Sequence, residues 1–223
     1  MKTNIKTSSH SRKFALRTLL LLLAIMSATF TFAHDLEVDG IYYGYKYGSD
    51  IEVYVTSRDY DYNTYSGDVI IPETVSYGGK SYTVTEIGYM AFGGCSELLS
   101  VTIPNTVKEI RSQAFEGCSG LRSIVIPNSV TLIEQAAFSG CTELLEINFG
   151  TSLITIEPQA FQGCSSITEV RIPNSVTRIG GFAFEGCKGI KNLFISESVS
   201  QIEDAAFAGC GALQSISVDS NNP

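Results

Sequence analysis

Apolar residues recur in the second part of the chain with one fixed period. Phe92, Phe115, Phe138, Phe161, Phe184 and Phe207 are each followed three residues later by a cysteine: Cys95, Cys118, Cys141, Cys164, Cys187 and Cys210. The unit is therefore 23 residues long each time. Beyond each cysteine an apolar residue stands third (Leu98, Leu121, Leu144, Ile167, Ile190, Leu213) and sixth (Val101, Ile124, Ile147, Val170, Leu193, Ile216). Another stands eighth (Ile103, Ile126, Phe149, Ile172, Ile195, Val218). Positions six and eight share one face of an extended strand, so they point inward while positions five and seven point out. This spacing, L-x-x-L-x-L, predicts a leucine-rich repeat.

The rest of the unit has a physical reading as well. Ile-Pro at 103–104, 126–127 and 172–173 ends the strand, because proline has no N–H for the ladder. A second apolar pair, such as Val130 with Ile133 or Val176 with Ile179, predicts a short second strand covering the opposite wall. Ala-Phe-x-Gly-Cys then predicts one helical turn that buries its Phe and stops at a left-handed Gly. A unit this small cannot bury its own apolar face, so the rungs must stack. The six Phe and six Cys then become continuous interior ladders, the cysteines packing as small hydrophobes rather than as bridges. At ~4.8 Å per rung the stack is roughly 25–30 Å long.

Before the repeats the pattern changes. All eleven Tyr lie between Tyr42 and Tyr89. Segments 41–43, 51–55 and 68–71 are short, rich in β-branched and aromatic residues, and separated by turn formers, which predicts strands. Gly78-Gly79 between 74–77 and 80–84 predicts a tight hairpin. The fold expected is a β-rich solenoid of 23-residue leucine-rich repeats, each a strand, a second short strand and one helical turn, with an N-terminal antiparallel β cap. Residues 34–83 form the Tyr-rich β unit and 84–223 the solenoid. No capping unit follows the last rung, which predicts an incomplete end or one covered by a partner.

Residues 1–33 read differently. Lys2, Lys6, Arg12, Lys13 and Arg17 precede the apolar run 19–26, and Thr31-Phe32-Ala33 offers small residues for cleavage. That order predicts a secretory signal peptide, since a membrane span needs ~20 apolar residues. Without the leader the chain carries 10 Lys+Arg against 23 Asp+Glu, a net of −13. Such a balance argues against sequence-independent nucleic-acid binding. The chain is expected to be exported to the cell surface, the medium or the periplasm, with no transmembrane span after signal removal.

The run Ile-Pro-Asn-Ser-Val-Thr-x-Ile at 126–133 and 172–179, followed by Ala-Phe-x-Gly-Cys, resembles the BspA-like leucine-rich repeats of bacterial surface proteins. The resemblance covers residues 71–220 and includes Val38 to Tyr43 and Gly78 to Gly88. It implies an exported or cell-surface protein, in some cases an adhesin. Phe149-Gly150 and Ile195-Ser196 depart from Ile-Pro, with an effect expected only on the local turn.

The outward strand positions form the expected concave face, and Val125, Glu146, Asn148, Glu169, Arg171, Asn192 and Phe194 are its candidate ligand-binding residues. Arg171 and Phe194 are the best anchors by residue type. The partner expected is an extracellular protein or glycan, with no cofactor. The alternative is a structural envelope scaffold or spacer. A remote alternative is a glycoside hydrolase, because Glu146 and Glu169 sit at equivalent positions of successive rungs and retaining enzymes hold two carboxylates ~5 Å apart. An open strand face argues against it, so no catalytic residue is assigned. Both His, at 10 and 34, precede the repeats, which excludes His-based triads and zinc sites. Asp59 to Asn63 begins like a calcium loop, but Thr64 replaces its Gly and Ile70 its closing Glu, so a polar turn is expected and no metal. Tyr42, Tyr43, Tyr45 and Tyr47 are expected to pack the β unit and shield the first rung.

Overall fold

The computed structural model describes residues 34–58 and 64–222, all within one compact unit. The leader and the acidic turn at 59–63 lie outside these residues. The fold is a β-solenoid. Its first strands are β7 (Leu98–Thr102), β9 (Ser123–Val125), β11 (Glu146–Asn148), β13 (Glu169–Arg171), β15 (Asn192–Ile195) and β17 (Ser215–Val218). Its second strands are β8 (Glu109–Ile110), β10 (Leu132–Ile133), β12 (Thr155–Ile156), β14 (Arg178–Ile179) and β16 (Gln201–Ile202). The second strands pair in parallel without a break, each residue opposite its equivalent one repeat away, as Ile133 is opposite Ile156.

The helical turn is the one repeat element that differs from expectation. Residues 88–95 make a string of turns instead, with Ala91 N–H to Gly88 O (3.2 Å), Gly93 N–H to Met90 O (3.0 Å) and Cys95 N–H to Phe92 O (3.1 Å). Alternate amides reach forward to the next rung, so that Phe92 N–H donates to Ala114 O and Phe115 N–H to Ala137 O, both at 2.7 Å. This zigzag needs two left-handed residues per repeat. Glycine supplies one, at φ near 70° in Gly94 and its equivalents, and Met90, Gln113, Ala136, Gln159, Phe182 and Ala205 supply the other. The left-handed Gly is the expected stop, whereas the left-handed residue before Ala-Phe has no place in a helix.

Phe92, Phe115, Phe138, Phe161 and Phe184 are fully buried, and consecutive rings from Phe92 to Phe207 lie nearly parallel at 4.8–5.3 Å between centroids. The cysteines line a second ladder. Each thiol from Cys118 to Cys210 donates back to a Phe carbonyl of the preceding rung, such as Cys118 Sγ to Phe92 O at 3.0 Å and Cys187 Sγ to Phe161 O at 3.1 Å. Burial pushes the Cys141 and Cys187 thiols well above their ordinary range. At the last rung the ladders loosen: Phe207 and Cys210 are half-buried, and Ile216 and Val218 are exposed.

The N-terminal strands are built into the solenoid. β1 (Leu36–Val38), β2 (Ile41–Tyr45) and β3 (Glu52–Thr56) form an antiparallel meander, and β3 joins β6 (Lys80–Ile87) in parallel. β6 in turn pairs with β8 and runs through position 83 without interruption. β4 (Gly67–Ile70) pairs in parallel with β7, placing Val69 opposite Val101. Residues 67–87 are therefore an additional rung. Val69 and Val101 are 32 positions apart whereas Ile87 and Ile110 are 23 apart. The nine extra residues go into the hairpin of β5 (Thr74–Tyr77) with β6, closed by Gly78 and Gly79 at φ of 59° and 79°.

The shield over the first rung is Tyr65, which the sequence pattern did not single out. Its ring lies 4.6 Å from Phe92, its N–H donates to Cys95 Sγ, and its buried hydroxyl donates to Thr56 O and accepts from Tyr42 N–H. Of the four tyrosines expected in that role, Tyr43 is fully buried and Tyr42 partly, while Tyr45 and Tyr47 are exposed. Glu86, 6% exposed, ties this region together by ion pairs to Lys46 and Arg111. Arg111 also holds Glu109 and Glu134.

Candidate functional site

Alternation along the first strands sends aliphatic side chains inward and leaves the others on an exposed face. Inward positions hardly vary: Ile124, Val170 and Leu193 are nearly solvent-free. Outward positions change from rung to rung, from Ser123 and Val125 to Glu146 and Asn148, Glu169 and Arg171, and Asn192 and Phe194. Packing therefore dictates one set and leaves the other free to carry specificity.

The structure brings part of the predicted set together. Arg171 lies with its guanidinium 3.6 Å from the Phe194 ring centroid, and its Nε donates to Glu169 at 2.6 Å. Phe194, expected as an exposed apolar spot, is thus half-buried beneath a cation. Glu146 accepts from Asn148 Nδ2 at 2.9 Å, and Asn192 accepts from Ser215 Oγ at 2.8 Å. Val125 is 60% exposed and stands apart from this cluster.

The strand face is not one continuous sheet. β4 pairs with β7, β9 with β11, and β13 with β15 and β17, but no ladder joins β11 to β13. In the units on either side, the eighth residue donates to the seventh of the next, as Ile126 N–H does to Asn148 O (2.8 Å) and Ile172 N–H to Phe194 O (2.9 Å). The equivalent pair, Phe149 N–H and Arg171 O, makes no such bond. Neither do Thr168 N–H and Leu145 O, although Leu145 N–H reaches Arg122 O and Lys191 N–H reaches Thr168 O, both at 2.8 Å. β7 and β9 are also unladdered, but Arg122 N–H still contacts Leu99 O at 3.5 Å.

The departure from Ile-Pro at Phe149-Gly150 lies beside this gap. Phe149 fills an interior position that other units give to Ile or Val, and its ring meets Phe161 edge-on at 5.7 Å. Gly150 lies so close to the preceding unit that a Cβ would stand 2.3 Å from Pro127 O, and Thr151 N–H is held by Asn128 Oδ1 at 3.0 Å. The end of this unit is drawn toward the unit before it, and an open cleft of about 660 Å³ lies between β11 and β13. Glu146, Asn148, Glu169 and Arg171 rim it. Glu146 and Glu169 both border this cleft, and Glu169 is paired with Arg171. Among the described residues no group of His, Cys, Asp or Glu is placed to hold a metal ion, and no helix is long and apolar enough to cross a membrane.

Residues 79–168 and 144–222 match the BspA type leucine rich repeat region, in six copies. The chain belongs to this family of leucine-rich repeat proteins. Solved structures agree: a leucine-rich repeat protein from Bacteroides ovatus is 32% identical over 82% of this chain, with a TM-score of 0.63. The chain spans 53% of that protein's length. The T. pallidum leucine-rich repeat protein TpLRR is 26% identical, with 80% of this chain and 90% of that one covered and a TM-score of 0.65. The pneumococcal vaccine antigen PcpA shares the fold at 19% identity and a TM-score of 0.53, over 84% of this chain and 50% of that one. No curated protein is similar enough to this chain to count as a match.

Proposed function

We propose that the protein is an exported, non-catalytic recognition protein whose strand face holds an extracellular protein or glycan. The observation that carries this reading is the division of labour within the repeat: a nearly invariant interior beneath an exposed face whose side chains change with every rung. The basic start, apolar run and small residues of positions 1–33 support export. Arg171 stacked on Phe194 offers an anchor already ordered by its neighbours, which lowers the entropy lost on binding.

The test is binding of the purified full chain to a panel of extracellular-matrix proteins and glycans, with Arg171→Ala/Phe194→Ala alongside. Saturable binding to one ligand, weakened about 30-fold in the double variant, is expected if the pair contributes about 2 kcal/mol. No binding by a chain that melts cooperatively overturns the reading and favours a structural spacer.

A further inference from the structure

We propose that the cleft between β11 and β13 receives an extended, basic polypeptide segment as an added strand. The inference rests on the reading of the strand face as a binding surface and names the partner's chemistry. Strand edges in a folded protein are normally paired, and an edge that is not paired is a template for another chain. Here two edges face each other across a cleft. Phe149 and Thr168 offer N–H donors, and Leu145 and Arg171 offer carbonyl acceptors, at positions whose equivalents in neighbouring units are bonded to each other. An extended backbone is the ligand that answers both kinds of group at the strand repeat of ~3.3 Å per residue. A cleft of about 660 Å³ is within the ~300–1,000 Å³ typical of ligand sites.

Charge selects among peptides. The rim carries Glu146 and Glu169 against Arg171 alone, and Arg171 is already bound to Glu169. Glu146 has only the neutral Asn148 amide as its partner, so a lysine or arginine on the incoming segment finds an uncompensated carboxylate. The chain as a whole is acidic, with 23 Asp+Glu against 15 Lys+Arg.

The probe is a capped heptapeptide of alternating valine and lysine, added to the full chain and followed by amide hydrogen exchange. Its controls are the same peptide with glutamate for lysine and one with alternate backbone nitrogens methylated. The lysine peptide is expected to slow exchange at Phe149 and Thr168 by about tenfold, and each control to bind at least about tenfold more weakly. Phe149→Ile/Gly150→Pro restores the Ile-Pro of other units. Because a Cβ at 150 would meet the Pro127 carbonyl, the change forces this unit away from the one before it, and it is expected to abolish the response in a chain that still melts cooperatively. Absence of peptide binding overturns the inference. So does protection confined to β17, equal binding by the methylated peptide, or occupation of the cleft by an oligosaccharide but no peptide. If the peptides fail while a matrix protein still binds through Arg171 and Phe194, the cleft is refuted and the face reading stands. If both fail, both fall.

Discussion

Replacing Phe138 by alanine probes the ring ladder at its centre. Phe138 is fully buried between Phe115 at 4.9 Å and Phe161 at 5.1 Å, both nearly parallel to it. Loss of a buried Phe side chain costs about 3–5 kcal/mol, the upper end applying where the surroundings cannot collapse. They cannot collapse here, because Phe115 N–H to Ala137 O and Phe138 N–H to Ala160 O, both 2.7 Å, clamp the rungs on either side. About 4–5 kcal/mol is therefore expected. In a chain of this length that lowers the melting temperature by roughly 8–20 °C. Phe207→Ala is the internal control: its ring has one stacked neighbour, at 5.3 Å, and is half-buried, so about 1–2 kcal/mol is expected. Urea unfolding followed by circular dichroism measures both. A loss below about 1 kcal/mol for Phe138→Ala, or equal losses at both positions, refutes the ladder as the main source of stability.

Glu86→Gln should cost about 1–3 kcal/mol at pH 7. Burial raises the pKa of the Glu86 carboxyl, but Lys46 and Arg111 outweigh that and hold it below the ordinary value. Its contribution is thus present above the unfolded carboxylate range and lost as pH falls through the lowered value, so melts of wild type and variant should draw together only as pH falls below the ordinary carboxylate range. Alkylation of the native chain should label Cys210 first and leave Cys141 and Cys187 unmodified until unfolding, because Cys210 is half-buried and the others are enclosed. Peptide mapping by mass spectrometry reads the order. Tyr65→Phe removes a buried hydroxyl that donates to Thr56 O and accepts from Tyr42 N–H, and should destabilise by about 1–2 kcal/mol in the same urea assay.

Much of this fold was legible because the period never slips. Six Phe and six Cys at one spacing, with aliphatic residues at fixed offsets, force the interior, and the structure buries those positions up to the last rung. What was not legible has identifiable causes. The rung at 67–87 lacks a Cys and is stretched by nine extra residues in its hairpin, so counting missed it, although Ile71-Pro72 repeats the strand-ending pair of Ile103-Pro104. Ala-Phe-x-Gly-Cys suggested a helix because the left-handed residue just before it, such as Gln113 or Ala136, is not a glycine, and only glycine advertises that conformation. At the candidate site the outward residues were named from alternation alone. Which of them meet depends on distances that a pattern does not contain, such as Arg171 lying on Phe194. The cleft lies beside Phe149-Gly150, where Gly150 settles against Pro127, a contact between units that a pattern does not contain.

Native-state amide exchange of the ligand-free chain tests the broken strand face most directly. Ile126 and Ile172 donate to Asn148 O and Phe194 O and should exchange slowly, whereas Phe149, at the equivalent position between them, should exchange faster by about two orders of magnitude or more. Equal protection at all three amides would mean that β11 and β13 are paired in solution and that no cleft divides the face.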